Sequence, residues 1–327
     1  MRIFISIASY QDFMLEHTVN SCYDNAKYKN ILEFGILDQT TKPLKFDSKF
    51  NMNYVSCPPS ESQGACWARS RIQKELMGDQ DIYMQIDSHI LFEKNWDEYL
   101  IKEYNRAKTW IDKPVITGYP RGFSVIEMGD RGFNTDEEYI FKKYPKAEGG
   151  PYTQVMKVSQ PFHTGLFSTA IARDADPKQY KGFMFAGGFV FTEMQWALDV
   201  PYDPKIFFSG EEPTLALRSF TKGYDIVHVP ETPVWHWYNG EGIEVKRECI
   251  WDAKDHGKSE KLSRLGEERT NYVLAGNDYE EYGLGTIRTM DEYAHLSGLD
   301  YINKTYAPDK GSFECYMNSG WEEEELG

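Results

Sequence analysis

The sequence predicts an α/β fold, a sheet flanked by helices, and three observations carry that prediction. Short apolar runs (Ile3 to Ile7, Ile31 to Leu37, Asn53 to Ser56, and the run ending at Asp87) alternate with longer stretches of helical character. Such alternation implies parallel strands joined by right-handed crossovers. The runs also end in polar residues, at the strand ends where an open α/β sheet gathers its ligands. Finally, 327 residues can bury a large core, as one elaborated domain or two.

Taken in order, Ile3, Phe4, Ile5 and Ile7 form a buried first strand that ends in Ser9-Tyr10-Gln11-Asp12. A helix follows from Phe13 to Ala26, then a strand from Ile31 to Leu37 ending in Asp38-Gln39. Pro58-Pro59 stops a third strand at Asn53 to Ser56. A helix from Ala65 to Met77 carries Arg69 and Arg71, and a strand reaches Asp87. Trp96 to Lys108 reads as helix and Val115-Ile116-Thr117 as strand. Residues 124–160 are polar and weakly patterned, the signature of an insertion over the active face.

Further on, Phe183 to Phe191 is a strand-like apolar run broken by Gly187-Gly188. Phe207-Phe208-Ser209-Gly210-Glu211-Glu212 leads into a helix, and Asp225 to Val229 and Val234 to Tyr238 read as strands. Beyond Gly242 the chain turns helical and charged, and it ends in an acidic tail, Glu322-Glu323-Glu324-Glu325.

Composition removes several function classes. With 27% charged and 41% hydrophobic residues the chain is an ordinary globular one. Its net charge of -15 argues against non-specific nucleic-acid binding, which needs a basic footprint. Five cysteines, odd in number and without a CxxC pair, suit a reducing compartment and no zinc knuckle. The apolar start is too short for a signal peptide or anchor, so a cytoplasmic protein is expected.

The chemistry centres on Asp87-Ser88-His89. In extended backbone, residues two apart share a side, so carboxylate and imidazole can converge just past the strand end. The bland alternative is a polar turn with Asp87 as a helix cap. Oxygen and nitrogen ligands without thiolate fit Mn²⁺, or Mg²⁺, better than structural zinc. His236, between Trp235 and Trp237, is the candidate third ligand; alone it reads equally as a core histidine. Glu211 and Glu212 either favour a helix dipole or include a buried carboxylate with a task. Gly187-Gly188 suggests close approach of backbone to a ligand, or a plain irregularity. Arg69 is a phosphate candidate, while Tyr10 and Asp38 are either nucleotide contacts or turn residues.

Together these blocks resemble a known family. Ser6-Ile7-Ala8-Ser9-Tyr10, Gly64 to Arg69, Gln85 to His89 with Trp96-Asp97, and Gly283-Leu284-Gly285-Thr286-Ile287-Arg288-Thr289 resemble the GlcNAc-transferases numbered family sixty among glycosyltransferases. More distantly the chain is similar to the polypeptide N-acetylgalactosaminyltransferases. There an Asp-Ser-His motif, a Gly-Gly-Leu/Phe strand, a Gly-Gly-Glu-Asn block and a metal-binding His follow in order. Asp87-Ser88-His89, Gly187-Gly188-Phe189, Ser209-Gly210-Glu211-Glu212 and His236 repeat that order.

The resemblance implies a GT-A (Rossmann-like) mixed sheet flanked by helices; the change in character near Gly242 sets residues 1–242 as the expected catalytic domain and 243–327 as a helical, acidic extension packed on it. It implies a UDP-sugar donor, UDP-GlcNAc or a relative, retention of configuration, and Mn²⁺ held by Asp87, His89 and His236. Ser9, Tyr10, Asp38, Arg69, Asp87, Ser88, Gly187 and Gly188 would bind the donor, and Glu211 and Glu212 would be catalytic. Glu212 stands where the relatives carry Asn, which leaves sugar identity open. No Ser or Cys with a partner base marks an enzyme nucleophile, so front-face attack is expected. The acceptor is expected to be a hydroxyl on a protein. The rivals are a modified base such as hydroxymethylcytosine in viral DNA, and a non-catalytic sugar-nucleotide or glycan-binding module.

Overall fold

The computed structural model describes residues 1–127, 139–144, 152–159, 169–238, 245, 247–252 and 256–307. Its N-terminal part follows the expected alternation: β1 (Ile3–Tyr10), α1 (Met14–Asn25), β2 (Leu32–Gln39), β3 (Met52–Cys57), α2 (Ala65–Glu75), β4 (Ile82–Asp87). A short β5 (Ile90–Phe92), α3 (Trp96–Ala107) and β6 (Pro114–Thr117) follow. β1 pairs in parallel with both β2 and β4, setting Ser9 opposite Asp38 and Ala8 opposite Asp87. The polar strand ends therefore finish side by side.

Both faces of this sheet are covered. Ile3, Ile5 and Ile7 pack with Leu15 and Val19 of α1 and Trp96 and Leu100 of α3. On the other face Phe4 and Tyr83 meet Cys66, Ala68 and Ile72 of α2. Alternation along β1 thus feeds two cores, each fully buried Ile or Leu contributing about 1.5–3 kcal/mol. Trp96 and Asp97 act in this packing. The Trp96 indole donates to Cys22 O (2.8 Å), and the Asp97 carboxylate accepts from the amides of Lys27 (2.8 Å) and Tyr28 (2.7 Å). That pair clamps the chain as it leaves α1.

The second half breaks the parallel alternation and gives the mixed sheet that the resemblance implies. After β7 (Arg121–Glu127), β8 (Tyr139–Lys143), β9 (Thr153–Ser159), β10 (Thr169–Ala175) and β11 (Tyr180–Gly182), the chain enters β12 (Phe189–Glu193). β12 runs antiparallel to both β4 and β6. With α4 (Met194–Asp199), α5 (Glu211–Thr221), β13 (Asp225–His228) and β14 (Val234–His236), the eight-stranded order is β11-β13-β6-β12-β4-β1-β2-β3. The sheet is mixed. Phe189, Val190 and Phe191 are fully buried in either direction of travel, so their apolar pattern carries no sign of polarity. The strand also begins at Phe189 rather than Phe183, because the preceding residues bend past the cavity described below.

Residues 124–160, expected as one weakly structured insertion, contain parts of three strands. β7 and β8 join a second sheet ordered β5-β14-β7-β8, and β9 pairs with β10. Phe123 and Val125 are buried in it, an alternation too short to register in a polar stretch. Residues 128–138, 145–151 and 160 lie outside the described ones.

Toward the C-terminus, α6 (His256–Leu274), α7 (Met290–Ser297) and the small pair β15 (Leu299–Asp300) and β16 (Thr305–Tyr306) pack back onto α5 and its neighbours. The segment Gly283 to Thr289 clasps the end of α5. Gly285 N donates to Thr221 Oγ1 (2.8 Å), Ile287 N to Thr221 O (3.0 Å), and Arg288 grips Asp225 with both prongs (2.8 and 3.0 Å). Among the described residues no helix is long and apolar enough to cross a membrane. The acidic tail lies outside them.

Candidate active site

The carboxyl ends of β1, β2 and β4 open into a cavity of about 710 Å³. α2 and α5 aim their N-termini at it, and β14 delivers His236 from the second sheet. Its floor is the Asp87-Ser88-His89 turn. Thr18 holds this turn, its hydroxyl donating to Ser88 O (2.8 Å) and accepting from Ile90 N (3.0 Å). The strand ends at Asp87, so convergence with His89 comes from this pinned bend, not from continued extended backbone.

One ligand atom each from Asp87, His89 and His236 lies within 4.8 Å of the others. His236 Nε2 is 3.1 Å from Asp87 Oδ2 and 3.1 Å from His89 Nε2. His89 Nδ1 is 2.7 Å from Asp12 Oδ2, which also accepts from Ser88 Oγ (2.6 Å). Two partners compete for Nδ1: the Asp12 carboxylate, which only accepts, at 2.7 Å, and Arg247 Nη1, which only donates, at 3.1 Å; the shorter contact favours the His89 proton on Nδ1, with the Nε2 lone pair facing its neighbours. The same partners give His236 its proton on Nε2, shared between Asp87 and His89. One proton thus sits where three ligand atoms converge, and a cation fits there in its place. His236 Nδ1 is buried without a partner among the described residues, ready to take the displaced proton.

The electrostatics suit that exchange. Burial alone would raise the Asp87 carboxyl, but the His236 hydrogen bond and the Arg69 charge hold it well below the usual range. Burial pushes His236 down to about 4, against the pull of Asp87, so the ring is neutral at neutral pH. Asp12 is also held below its ordinary value, the His89 and Ser88 bonds outweighing burial. One carboxylate and two imidazoles, with a second carboxylate behind one ring, make a donor set for a divalent cation.

Two glutamates begin α5 with different environments. Glu211, almost fully buried, is paired with Arg69 Nη1 and accepts from Tyr202 Oη at 2.8 Å. Glu212 accepts, among the described residues, from the neutral donors Gly187 N (3.0 Å) and Tyr119 Oη (2.7 Å). Burial pushes its carboxyl up to about 7, although both hydrogen bonds oppose the rise. The two glycines are required by this crowding. A Cβ on Gly187 would run into Glu211, and one on Gly188 would lie 2.7 Å from Asp87 Oδ2.

Of the residues expected from sequence, Ser9, Tyr10, Arg69, Asp87, Ser88, His89, Gly187, Gly188, Glu211, Glu212 and His236 all line the cavity. Asp38 does not: it accepts from the Tyr54 hydroxyl (2.7 Å), and Gln39 lines the wall instead. Neighbours on a strand point to opposite sides, so a one-residue choice decides this. Arg69 lines the wall but is bound to two carboxylates, Asp87 Oδ1 (2.6 Å) and Glu211. Sequence reasoning missed Asp12, Tyr119, Tyr202 and Arg247, whose Nη1 lies 3.1 Å from His89 Nδ1. Asp12, Tyr119 and Arg247 meet their partners across 77, 93 and 158 residues, and Tyr202, though nine residues before Glu211, has no spacing signal that marks the contact.

Among solved structures, S. aureus TarS aligns with TM-score 0.44 and 12% identity over 86% of this chain, which spans 41% of the TarS chain. TarS 1–349 in complex with UDP-GlcNAc aligns with TM-score 0.41 and 13% identity, over 93% of this chain and 82% of that one. The mannosyltransferase PcManGT from Pyrobaculum calidifontis, in complex with GDP-Man and Mn²⁺, gives TM-score 0.44 and 11% identity over 86% and 77%. No curated protein matches the chain. The sequence profile described as Glycosyltransferase (GlcNAc) matches residues 42–303, which is most of the chain. The mixed α/β sheet, the cavity at its strand ends and this match agree: the chain belongs to the glycosyltransferase (GlcNAc) family and is a glycosyltransferase.

Proposed function

We propose that this glycosyltransferase transfers a sugar from a UDP-sugar, UDP-GlcNAc or a relative, to a hydroxyl acceptor, and that it depends on a divalent cation, Mn²⁺ or Mg²⁺. The observation that carries this reading is the Asp87, His89 and His236 cluster at the floor of the strand-end cavity. Those three side chains would hold the cation, which would supply positive charge against the departing diphosphate. The family-sixty resemblance adds a protein hydroxyl as acceptor and retention of configuration.

The chain's own residues then divide the work. Ser9, Tyr10 and Gln39 form the wall at the ends of β1 and β2, the side on which an α/β sheet receives a nucleotide. Asp12 orients His89 through its Nδ1 proton. Glu211, tied to Arg69 and Tyr202, is held too firmly to serve as a nucleophile, which favours front-face attack over double displacement. Glu212 faces the cavity with an environment that lets it exchange a proton near neutrality. It is the group best placed to meet a hydroxyl of sugar or acceptor.

The experiment is a thermal-shift and UDP-release screen of UDP-sugars with and without Mn²⁺. Ligands that bind the native state raise its melting point, so donor and cation are read together. A cation-dependent shift with one donor is expected. Equal response with and without the cation would remove the metal from the reading, and a salt-sensitive gel shift with duplex DNA would move the acceptor to a modified base.

A further inference from the structure

Arg69 was expected to meet donor phosphate, and its surroundings argue otherwise. Its side chain is 5% exposed and lies between two carboxylates, Nη2 on Asp87 Oδ1 at 2.6 Å and Nη1 on Glu211. One positive charge against two negative ones leaves this spot negative, which does not attract an anion. We propose that Arg69 is a positioning residue for the cation site: it fixes which oxygen of Asp87 faces the two histidines and ties that choice to helix α5 through Glu211. The proposal rests on the reading that Asp87, His89 and His236 hold a divalent cation.

The geometry carries it in three steps. Asp87 has two oxygens, and Arg69 takes Oδ1, so Oδ2 is the one left 3.1 Å from His236 Nε2 and 3.8 Å from His89 Nε2. Glu211 is fixed from behind. Tyr202 Oη donates to it (2.8 Å) and accepts from Gln85 Nε2 (2.6 Å), which also donates to Gly187 O (2.6 Å). Gln85 lies on β4 two residues before Asp87, so the network closes on the strand that carries the ligand. Finally, Gly187 leaves no room for adjustment, since a Cβ there would meet both Glu211 and Arg69 Nη1. Only a planar fork reaches two carboxylates at once; a lysine ammonium on its flexible stem does not hold both in fixed directions.

The test measures Mn²⁺ affinity of the full chain without donor, by calorimetry and by the EPR signal of free Mn²⁺, and UDP affinity in the presence of EDTA. Arg69→Lys keeps the charge and loses the fork; it is expected to weaken Mn²⁺ binding about 10–100-fold, the usual cost of losing a ligand's supporting partner, and to leave cation-free UDP binding unchanged. Arg69→Met is expected to do the same. Mn²⁺ affinity within two-fold of wild type in Arg69→Lys overturns the proposal. So does a fall in cation-free UDP binding, which would make Arg69 a phosphate contact. Should Arg69→Met fail to fold, Glu211→Gln is the second variant. It is expected to weaken Mn²⁺ a few-fold, and unchanged affinity would sever the link to α5. A wild-type chain that binds no Mn²⁺, or a His236→Ala chain that binds it equally well, defeats the cation reading itself and is told apart by needing no Arg69 variant.

Discussion

His236 Nε2 stands 3.1 Å from His89 Nε2, although 147 residues separate the two rings in sequence. Two ring nitrogens at that distance share one proton or one cation. The first prediction follows from that choice. His236→Ala removes one of three ligand atoms, so Mn²⁺ should raise the wild-type melting point and leave the variant's nearly unmoved. A rise of equal size in both chains would place the cation elsewhere.

The glycines give the second. Gly188→Ala puts a methyl group 2.7 Å from Asp87 Oδ2, closer than carbon and oxygen tolerate. Overpacking of this kind costs about 1–3 kcal/mol, and here the strain falls on a proposed ligand. Transfer activity should drop more than 10-fold, with a modest loss of stability in urea. Wild-type activity in this variant would show that Asp87 does not need its present position.

The pH dependence of stability supplies a third, and its sign differs between two groups. The carboxyl of Glu212 sits at about 7 in the folded chain, above an ordinary glutamate. The folded state therefore holds its proton longer, and stability falls as pH rises from about 4.5 toward 7. Glu212→Gln removes that loss. It should stabilise the chain at pH 8 by on the order of 2–3 kcal/mol relative to its effect at pH 5. Denaturant curves at the two pH values decide it, and an effect independent of pH would mean that Glu212 titrates normally.

Histidines tilt the curve the other way. Burial lowers both His236 and His228 to about 4. Each resists a proton that the unfolded chain accepts below about 6.5, so their contribution is complete above that pH and is lost as pH falls toward 4. Glu212→Gln at low pH should expose this slope without its opposing partner. A stability profile of that variant that stays flat between pH 6.5 and 4 would contradict the histidine assignment.

Asp97 provides a control far from the chemistry. It is fully buried and accepts two backbone N–H groups. Asp97→Ala leaves both donors unmet and should cost about 2–5 kcal/mol, while Mn²⁺ affinity of the folded fraction stays as in wild type. A selective loss of cation binding would instead bring the Trp96-Asp97 pair into the site.

Legibility of the fold from sequence varied with the kind of signal. β1, α1, β2, β3, α2, β4 and α3 fall within three residues of expectation, because apolar period and stop signals are local. β12 was found but not its direction, since a run of buried aromatics reads alike both ways. β7 to β9 were hidden in a polar stretch, where strand pairing supplies the order that composition lacks. Asp38 and Gln39 show the finest limit: the strand end was placed, but the alternation of its side chains chose which neighbour faces the cavity.

The sequence by itself determined the alternating layers, the polar strand ends, and the ligand-type residues Asp87, His89 and His236 in their order. These follow from propensity, period and chemical identity, which are properties of neighbours along the chain. Only the tertiary structure decided that the three side chains share one point and that Asp12 sets the His89 proton. It alone also separated Glu211, locked by Arg69 and Tyr202, from Glu212, left to titrate. Each of those outcomes needs a distance, a burial or a charge contributed by a remote segment: His236 for the cluster, Asp12 for His89, Arg69 for Glu211.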